Sequence, residues 1–122
     1  MSKPHILVVE DTASISEVMK IKFAASGFEV EVVTDGEQAL ESLKASRFDL
    51  VLLDLIMPKL DGFGVLTELK KRKDKTPVIV MSNLDRDEDK AKAKKLGAKD
   101  YFLKVDLSLA QMVERINAVL KA

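Results

Sequence analysis

The stretch Leu50-Val51-Leu52-Leu53-Asp54 carries four apolar side chains and stops on a carboxylate. Three further runs have the same form: Ile6 to Val9 ends in Glu10 and Asp11, Val78 to Met81 in Ser82, and Tyr101 to Leu103 in Lys104. Short apolar runs bounded by turn signals read as strands buried on both faces, and segments of helical period lie between them. Parallel strands all point one way, so their final residues gather on one edge of the sheet, where open α/β sheets bind ligands. The sequence therefore predicts one pocket shared by three carboxylates, a hydroxyl and an ammonium.

Working outward, the chain reads as ten alternating strands and helices. Ser14-x-x-Glu17 has the form of a capping box and predicts the start of a first helix with Ile15, Val18, Met19 and Phe23 on one face, closed by Gly27. Glu29 to Val33 alternates charge with valine, as an edge strand with one face partly wet would. Asp35-x-x-Gln38 predicts the cap of a second helix and Asp61 that of a third. Thr76-Pro77 opens the fourth strand, with proline where its missing N–H does least harm. Asp85-x-x-Glu88 predicts the cap of a fourth helix ended by Gly97, and Ser108-x-x-Gln111 that of a fifth, with Leu109, Met112, Val113, Ile116 and Leu120 on one face. With the all-apolar strands central, the mixed ones outside and right-handed crossovers, the strand order is 2-1-3-4-5. This is an α/β, flavodoxin-like three-layer sandwich, a five-stranded parallel sheet with five helices. Its strand order reverses between the first and third strands, which is where Glu10, Asp11 and Asp54 fall.

Length and composition bound the rest. A chain of 122 residues, 47% hydrophobic, is expected to form a single domain over 1–122 with a real core. No stretch approaches the roughly 18 apolar residues of a membrane span, and the start, Met1 to Lys3, lacks the apolar core of a leader, so a cytoplasmic location without membrane contact is expected. Zero cysteines exclude disulfides and thiolate metal sites. Twenty basic and twenty acidic residues cancel, so no global field favours nucleic acid or an anionic membrane.

Three carboxylates at one spot repel one another, and such a group is retained mainly where a cation or shared proton compensates. With one histidine and no cysteine, the available ligands are oxygens, which select Mg²⁺, Mn²⁺ or Ca²⁺ over zinc or copper. Mg²⁺ takes one or two carboxylates, keeps several waters and commonly meets a phosphoryl group. Lys104 then fits as a point charge for a phosphoryl oxygen, Ser82 as a hydrogen-bond donor to it, and Asp54 as a nucleophile.

Taken together, Val8-Val9-Glu10-Asp11, Asp54-x-x-Met57-Pro58-x-x-Asp61-Gly62, Ser82, and Gly97-Ala98-x-Asp100-Tyr101-x-x-Lys104 resemble the receiver domain of two-component response regulators, over the whole chain. The resemblance implies a stand-alone regulator like those of chemotaxis, or an excised receiver domain. It implies that Asp54 takes a phosphoryl group from a phosphohistidine donor, a histidine kinase or a histidine phosphotransfer protein. Asp11, Asp54 and the carbonyl of Ile56 would bind Mg²⁺ directly (Mn²⁺ as a substitute), and Glu10 mostly through water. Lys104 would contact the acyl phosphate, while Ser82 and Tyr101 would act as switch residues that move inward. The fourth helix, fifth strand and fifth helix would present the output surface to a downstream protein target, in a monomer or a weak phosphorylation-dependent dimer with no direct nucleic-acid contact. Such a domain catalyses only its own phosphorylation and dephosphorylation and is not a turnover enzyme.

The chain departs from that family at Val105, where proline usually follows the lysine; a cis bond before valine costs about 2.5–4 kcal/mol, so a trans bond is expected. Two competing readings remain. A haloacid-dehalogenase-like phosphatase needs a second aspartate two residues after the nucleophile, and Ile56 stands there, unable to transfer a proton. A degenerate receiver serving only as an interaction module would lack acceptor-site residues, and here all are present. His5 reads as structural. The run Lys70-Lys71-Arg72-Lys73 reads as a solvated helix end favoured by the dipole, against a binding patch. The fourth helix, with few apolar residues, acids first and lysines last, and a Glu88–Lys92 pair, reads as the element able to shift.

Overall fold

The computed structural model describes residues 3–121; Met1, Ser2 and Ala122, which belong to the start and end of the domain read above, lie outside the described residues. Strands β1 (His5–Val9), β2 (Glu29–Val33), β3 (Leu50–Asp54), β4 (Val78–Ser82) and β5 (Asp100–Leu103) alternate with helices α1 (Ala13–Ala25), α2 (Gly36–Ala45), α3 (Gly62–Lys71), α4 (Asp87–Lys95) and α5 (Leu109–Lys121). All strand pairs are parallel and the order is β2-β1-β3-β4-β5, as the sequence predicts.

Side chains on a strand alternate between faces, and this sorts the apolar runs into two cores. Leu7, Val9, Val51, Leu53, Val78 and Val80 pack with α2, α3 and α4 side chains such as Ala39, Val65, Leu66, Leu69 and Ala93. Ile6, Val8, Leu50, Leu52, Ile79 and Met81 pack with Met19 and Phe23 of α1 and Met112 and Ile116 of α5. The same alternation carried past the strand ends sends Glu10, Asp54 and Lys104 to the α1/α5 side and Ser82 and Tyr101 to the α4 side. No helix among the described residues is long and apolar enough to cross a membrane.

Several helix starts follow the sequence. Asp35 accepts the Gln38 N–H at 2.8 Å, Asp61 accepts that of Gly64 at 2.8 Å, and Ser108 and Gln111 exchange two bonds at 2.8 and 3.1 Å. Gly27 and Gly97 end α1 and α4 at positive φ, where a Cβ would be strained. Two starts do not follow. Ser14 does not cap α1: the helix begins at Ala13 behind Thr12, whose backbone carbonyl accepts the N–H of Ile15 and Ser16. The turn is set upstream, by the loop that leaves β1 with Glu10. Asp85 does not cap α4 either, because its carboxylate bonds Lys90 at 2.8 Å and Arg86 occupies the N-cap position. The Glu88–Lys92 pair is also not made: Lys92 lies over the Phe63 ring at 4.3 Å, and Glu88 faces Arg86 at 4.0 Å. A lysine close to an aromatic face gains more there than from an exposed carboxylate.

The loop after β3 is held by glycine. Gly62 donates its N–H to the Leu55 carbonyl at 2.9 Å, and a Cβ at Gly62 would lie 2.6 Å from the Asp54 carbonyl oxygen and 2.7 Å from the Leu55 Cα, both backbone atoms that cannot swing away. Gly62→Ala is therefore expected to destabilise the chain by about 1–3 kcal/mol through backbone displacement at Asp54 and Leu55. Urea unfolding measures this, and a loss below about 0.5 kcal/mol, the ordinary scatter of surface substitutions, would show that the loop relaxes freely.

Candidate functional site

The C-terminal ends of β1, β3 and β5 bring together three of the side chains singled out in the sequence. Val9 and Leu53 are paired in register, so Glu10 and Asp54 leave adjacent strands side by side. Lys104 follows β5 and donates its backbone N–H to the Ser82 carbonyl at 2.9 Å, which extends the ladder by one residue and aims the side chain across the strand ends. Its ammonium donates to Glu10 Oε1 at 2.6 Å and Asp54 Oδ2 at 2.7 Å. The Lys104–Val105 bond is trans, and the lysine reaches both carboxylates.

Glu10 is fully buried and Asp54 nearly so, while Asp11 is exposed at the mouth. One carboxylate oxygen from each of Glu10, Asp11 and Asp54 lies within 4.8 Å of the others, a spacing that suits oxygen ligands around one hard cation. Asp54 also accepts the Ile56 N–H on Oδ1 at 3.2 Å, which tethers the loop carrying the Ile56 carbonyl. The repulsion expected among three carboxylates is thus partly offset by Lys104, a residue that the sequence alone assigns to a phosphoryl oxygen. Glu10, Asp11 and Asp54 against one ammonium still leave a formal excess of two negative charges (−3 + 1), which makes room for a further cation.

Ser82 and Tyr101 lie on the other face of the sheet. Ser82 Oγ accepts the Leu84 N–H at 3.0 Å, and the Tyr101 hydroxyl donates to the Leu84 carbonyl at 2.7 Å. Leu84 is therefore held at both ends by the two residues read as switch elements. Next to them, and unforeseen in the sequence, Asp89 is buried in the first turn of α4 and receives two bonds from Arg86, at 2.8 and 3.3 Å. The i,i+3 spacing of Arg86 and Asp89 was a visible signal, overshadowed by the apparent Asp85 cap. Arg115 of α5 binds both oxygens of Asp100 at 2.7 and 2.8 Å, a pair that no local pattern announces. His5 is structural as read: its ring packs on Phe48 with centroids 4.3 Å apart.

Burial pushes the Glu10 carboxyl above its ordinary 4.5; the Lys104 hydrogen bond pulls it down and Asp54 pushes it up again. For Lys104, burial alone would lower the ammonium pKa, but the bonds and charges of Asp54 and Glu10 outweigh it and raise the value. A carboxyl with a raised folded pKa binds protons more tightly in the native state, so stability falls as pH rises from the unfolded value through the folded one. The Lys104 contribution runs to higher pH: it is complete below the unfolded value of 10.5 and is lost as pH rises through the raised folded value. In chelator, the stability of Glu10→Gln relative to the parent should therefore grow as pH rises through and above 4.5. Urea midpoints read across this range, with the difference constant, would show that burial of Glu10 does not disfavour its charge.

Residues 6–117 match the family described as the response regulator receiver domain. A probable transcriptional regulator, ycf27, of Porphyridium aerugineum is 40% identical over 121 residues, 99% of this chain and 50% of that protein. The chain thus spans about half the length of this relative. The receiver domain of the Francisella response regulator 1452 superposes with a TM-score of 0.92 at 36% identity over 97% of each chain. Chemotaxis protein CheY4 of Vibrio cholerae superposes with a TM-score of 0.89 at 25% identity, covering 97% of this chain and 99% of that one. With its strand order, its acidic cleft and these likenesses in agreement, the chain belongs to the receiver domain family of two-component response regulators.

Proposed function

We propose that Asp54 is the phosphoacceptor. An Asp54 carboxylate oxygen attacks the phosphorus of a phosphohistidine on a histidine kinase or histidine phosphotransfer protein; the P–N bond breaks, imidazole leaves, and an acyl phosphate remains on Asp54. The observation that carries this reading is the Lys104 ammonium, 2.7 Å from Asp54 Oδ2 and supported by Glu10, in a cleft that also holds Asp11. Asp11, Asp54 and the Ile56 carbonyl suit Mg²⁺ or Mn²⁺, with Glu10 contributing chiefly through water; the ion would supply charge neutralisation for the transferring group. Lys104 then holds one phosphoryl oxygen as a point charge. The alternatives are weaker: Ile56 is no proton donor, which disfavours phosphatase turnover, and the intact acceptor set speaks against a pure interaction module. The domain accordingly acts once per phosphoryl group and catalyses only its own phosphorylation and dephosphorylation.

The switch follows from Leu84. When Ser82 turns its hydroxyl toward the phosphoryl group, its bond to the Leu84 N–H is weakened, and Tyr101, bonded to the Leu84 carbonyl, moves with the loop. α4 follows directly after this loop and buries only Asp89 and Ala93, so it shifts at low energetic cost. The output surface of α4, β5 and α5 would meet a downstream protein, in a monomer or weak phosphorylation-dependent dimer, and a cytoplasmic location accords with this role. The exclusion of nucleic acid from overall charge applies to this domain alone. The ycf27 relative, named a probable transcriptional regulator, is about twice as long as this chain.

Acetyl phosphate or beryllofluoride should load the parent only with Mg²⁺ present, and Asp54→Ala should not be labelled; comparable labelling of that variant would remove Asp54 as acceptor. In the same experiment, hydrogen exchange should change more in α4 and its preceding loop than in α1 or α5. Equal changes in every helix would refute the relay.

The acyl phosphate should be long-lived, because a hydrolytic water needs a polar group to hold it in line. By the family resemblance, Ile56 and Leu84, two residues beyond Asp54 and Ser82, would lie nearest that path. In the structure Ile56 is 60% exposed beside Asp54, whereas Leu84 packs partly into the α2–α4 core, so Ile56 has the larger part in shielding. After removal of the phosphodonor, Ile56→Asn should speed decay by about tenfold or more, and Leu84→Glu by less. Loss of label from the parent within seconds, or no acceleration in either variant, would mean that these positions do not set the lifetime.

A further inference from the structure

At the sheet edge opposite Asp54, the ends of α3 and α4 and the start of β4 enclose a cavity of about 260 Å³. Its apolar lining includes Leu69, Val78 and Leu96, and its rim carries Lys73, Lys75 and Lys99. Among the described residues, none of these three ammonium groups has a carboxylate within 4.0 Å. The lining carboxylate, Asp74, accepts the Thr76 N–H at 2.9 Å and the Thr76 hydroxyl at 2.6 Å with one oxygen, and so serves the turn. Helix dipoles explain cations in a last turn, such as Lys70, whose ammonium donates to the Lys95 carbonyl at 3.1 Å. They do not explain Lys75 and Lys99, which lie beyond both helices. A chain with no net charge thus gathers four lysines, Lys70, Lys73, Lys75 and Lys99, and one aspartate, Asp74, around a partly apolar hollow.

We propose that this hollow docks an acidic protein segment carrying one bulky apolar side chain, which enters the cavity while flanking carboxylates meet Lys73, Lys75 and Lys99. The volume lies below the roughly 300–1,000 Å³ of sites for drug-sized ligands and suits a single anchoring side chain. Duplex nucleic acid fits less well. A phosphate ridge would rest on the rim and leave the hollow unfilled, and the nearby guanidinium of Arg72 is turned onto Glu68 and the Leu40 carbonyl.

The test is fluorescence anisotropy of the full chain with a labelled synthetic peptide of aspartates and glutamates around one phenylalanine. A matching peptide with alanine in its place and a labelled duplex DNA serve as comparisons. Binding of the first peptide should weaken about tenfold or more in Lys73→Glu/Lys75→Glu/Lys99→Glu, and several-fold on loss of the phenylalanine, while loading of Asp54 by acetyl phosphate is unchanged. On the unaltered chain, NMR shifts should move at Lys75, Thr76, Leu96 and Gly97, a readout independent of whether the triple variant folds. Tighter binding of the duplex with the same lysine dependence would assign the surface to phosphate backbones and overturn the proposal. So would no binding of the peptide, equal binding of the alanine peptide, or shifts confined to other surfaces. Because Asp54 loading is read separately, failure here leaves the phosphoacceptor reading intact, and the reverse also holds.

Discussion

An ammonium group stands between two carboxylates that the sheet forces together. Glu10 and Asp54 leave neighbouring strands in register, and the Lys104 side chain that joins them is only 14% exposed, against 0% and 7% for its partners. Removing three charges from water is expensive and is offset only when geometry is good and the remaining lone pairs are used. Here the second oxygen of Asp54 takes the Ile56 N–H, and no buried side-chain polar atom among the described residues lacks a partner. The cluster is therefore held in place by the fold and stays electrically incomplete, which is the state a site needs if it is to receive a cation and then a phosphoryl group.

The sheet also separates the site's tasks. Glu10, Asp54 and Lys104 lie on the α1/α5 side, while Ser82, Leu84 and Tyr101 lie on the α4 side. Ser82, at the end of a central strand, touches both groups: its carbonyl accepts the Lys104 N–H and its hydroxyl accepts that of Leu84. On the proposed switch, a change at the carboxylates would reach α4 through the Ser82 hydroxyl and the Leu84 carbonyl, with no need for the core beneath to repack.

How much of this was legible depends on whether a signal is local. Strand runs, the Asp35, Asp61 and Ser108 caps and the positive-φ glycines are written within a few residues and could be read directly. The convergence of Glu10, Asp54 and Lys104 was legible because parallel topology turns strand ends into neighbours. The errors arose where another partner displaced the expected one: Asp85 took Lys90, five residues on in the chain, instead of an N-cap, and Lys92 took the distant Phe63 ring instead of Glu88. The Lys104 bridge itself, made without any phosphoryl group, had no local signature, since its two partners lie 94 and 50 residues away.

That separation has a kinetic meaning. Ile6 pairs with both Val30 and Leu50, so β1 must be bracketed by strands closed over long loops before the sheet has a centre. β5 joins at the edge, bringing Lys104. Long-range parallel pairing of this kind is slow, because loop entropy is lost before contacts repay it. The acidic cleft is complete only after these closures, so a cation selective for it stabilises a late arrangement. Such binding should appear mainly as slower unfolding, with the refolding rate little changed.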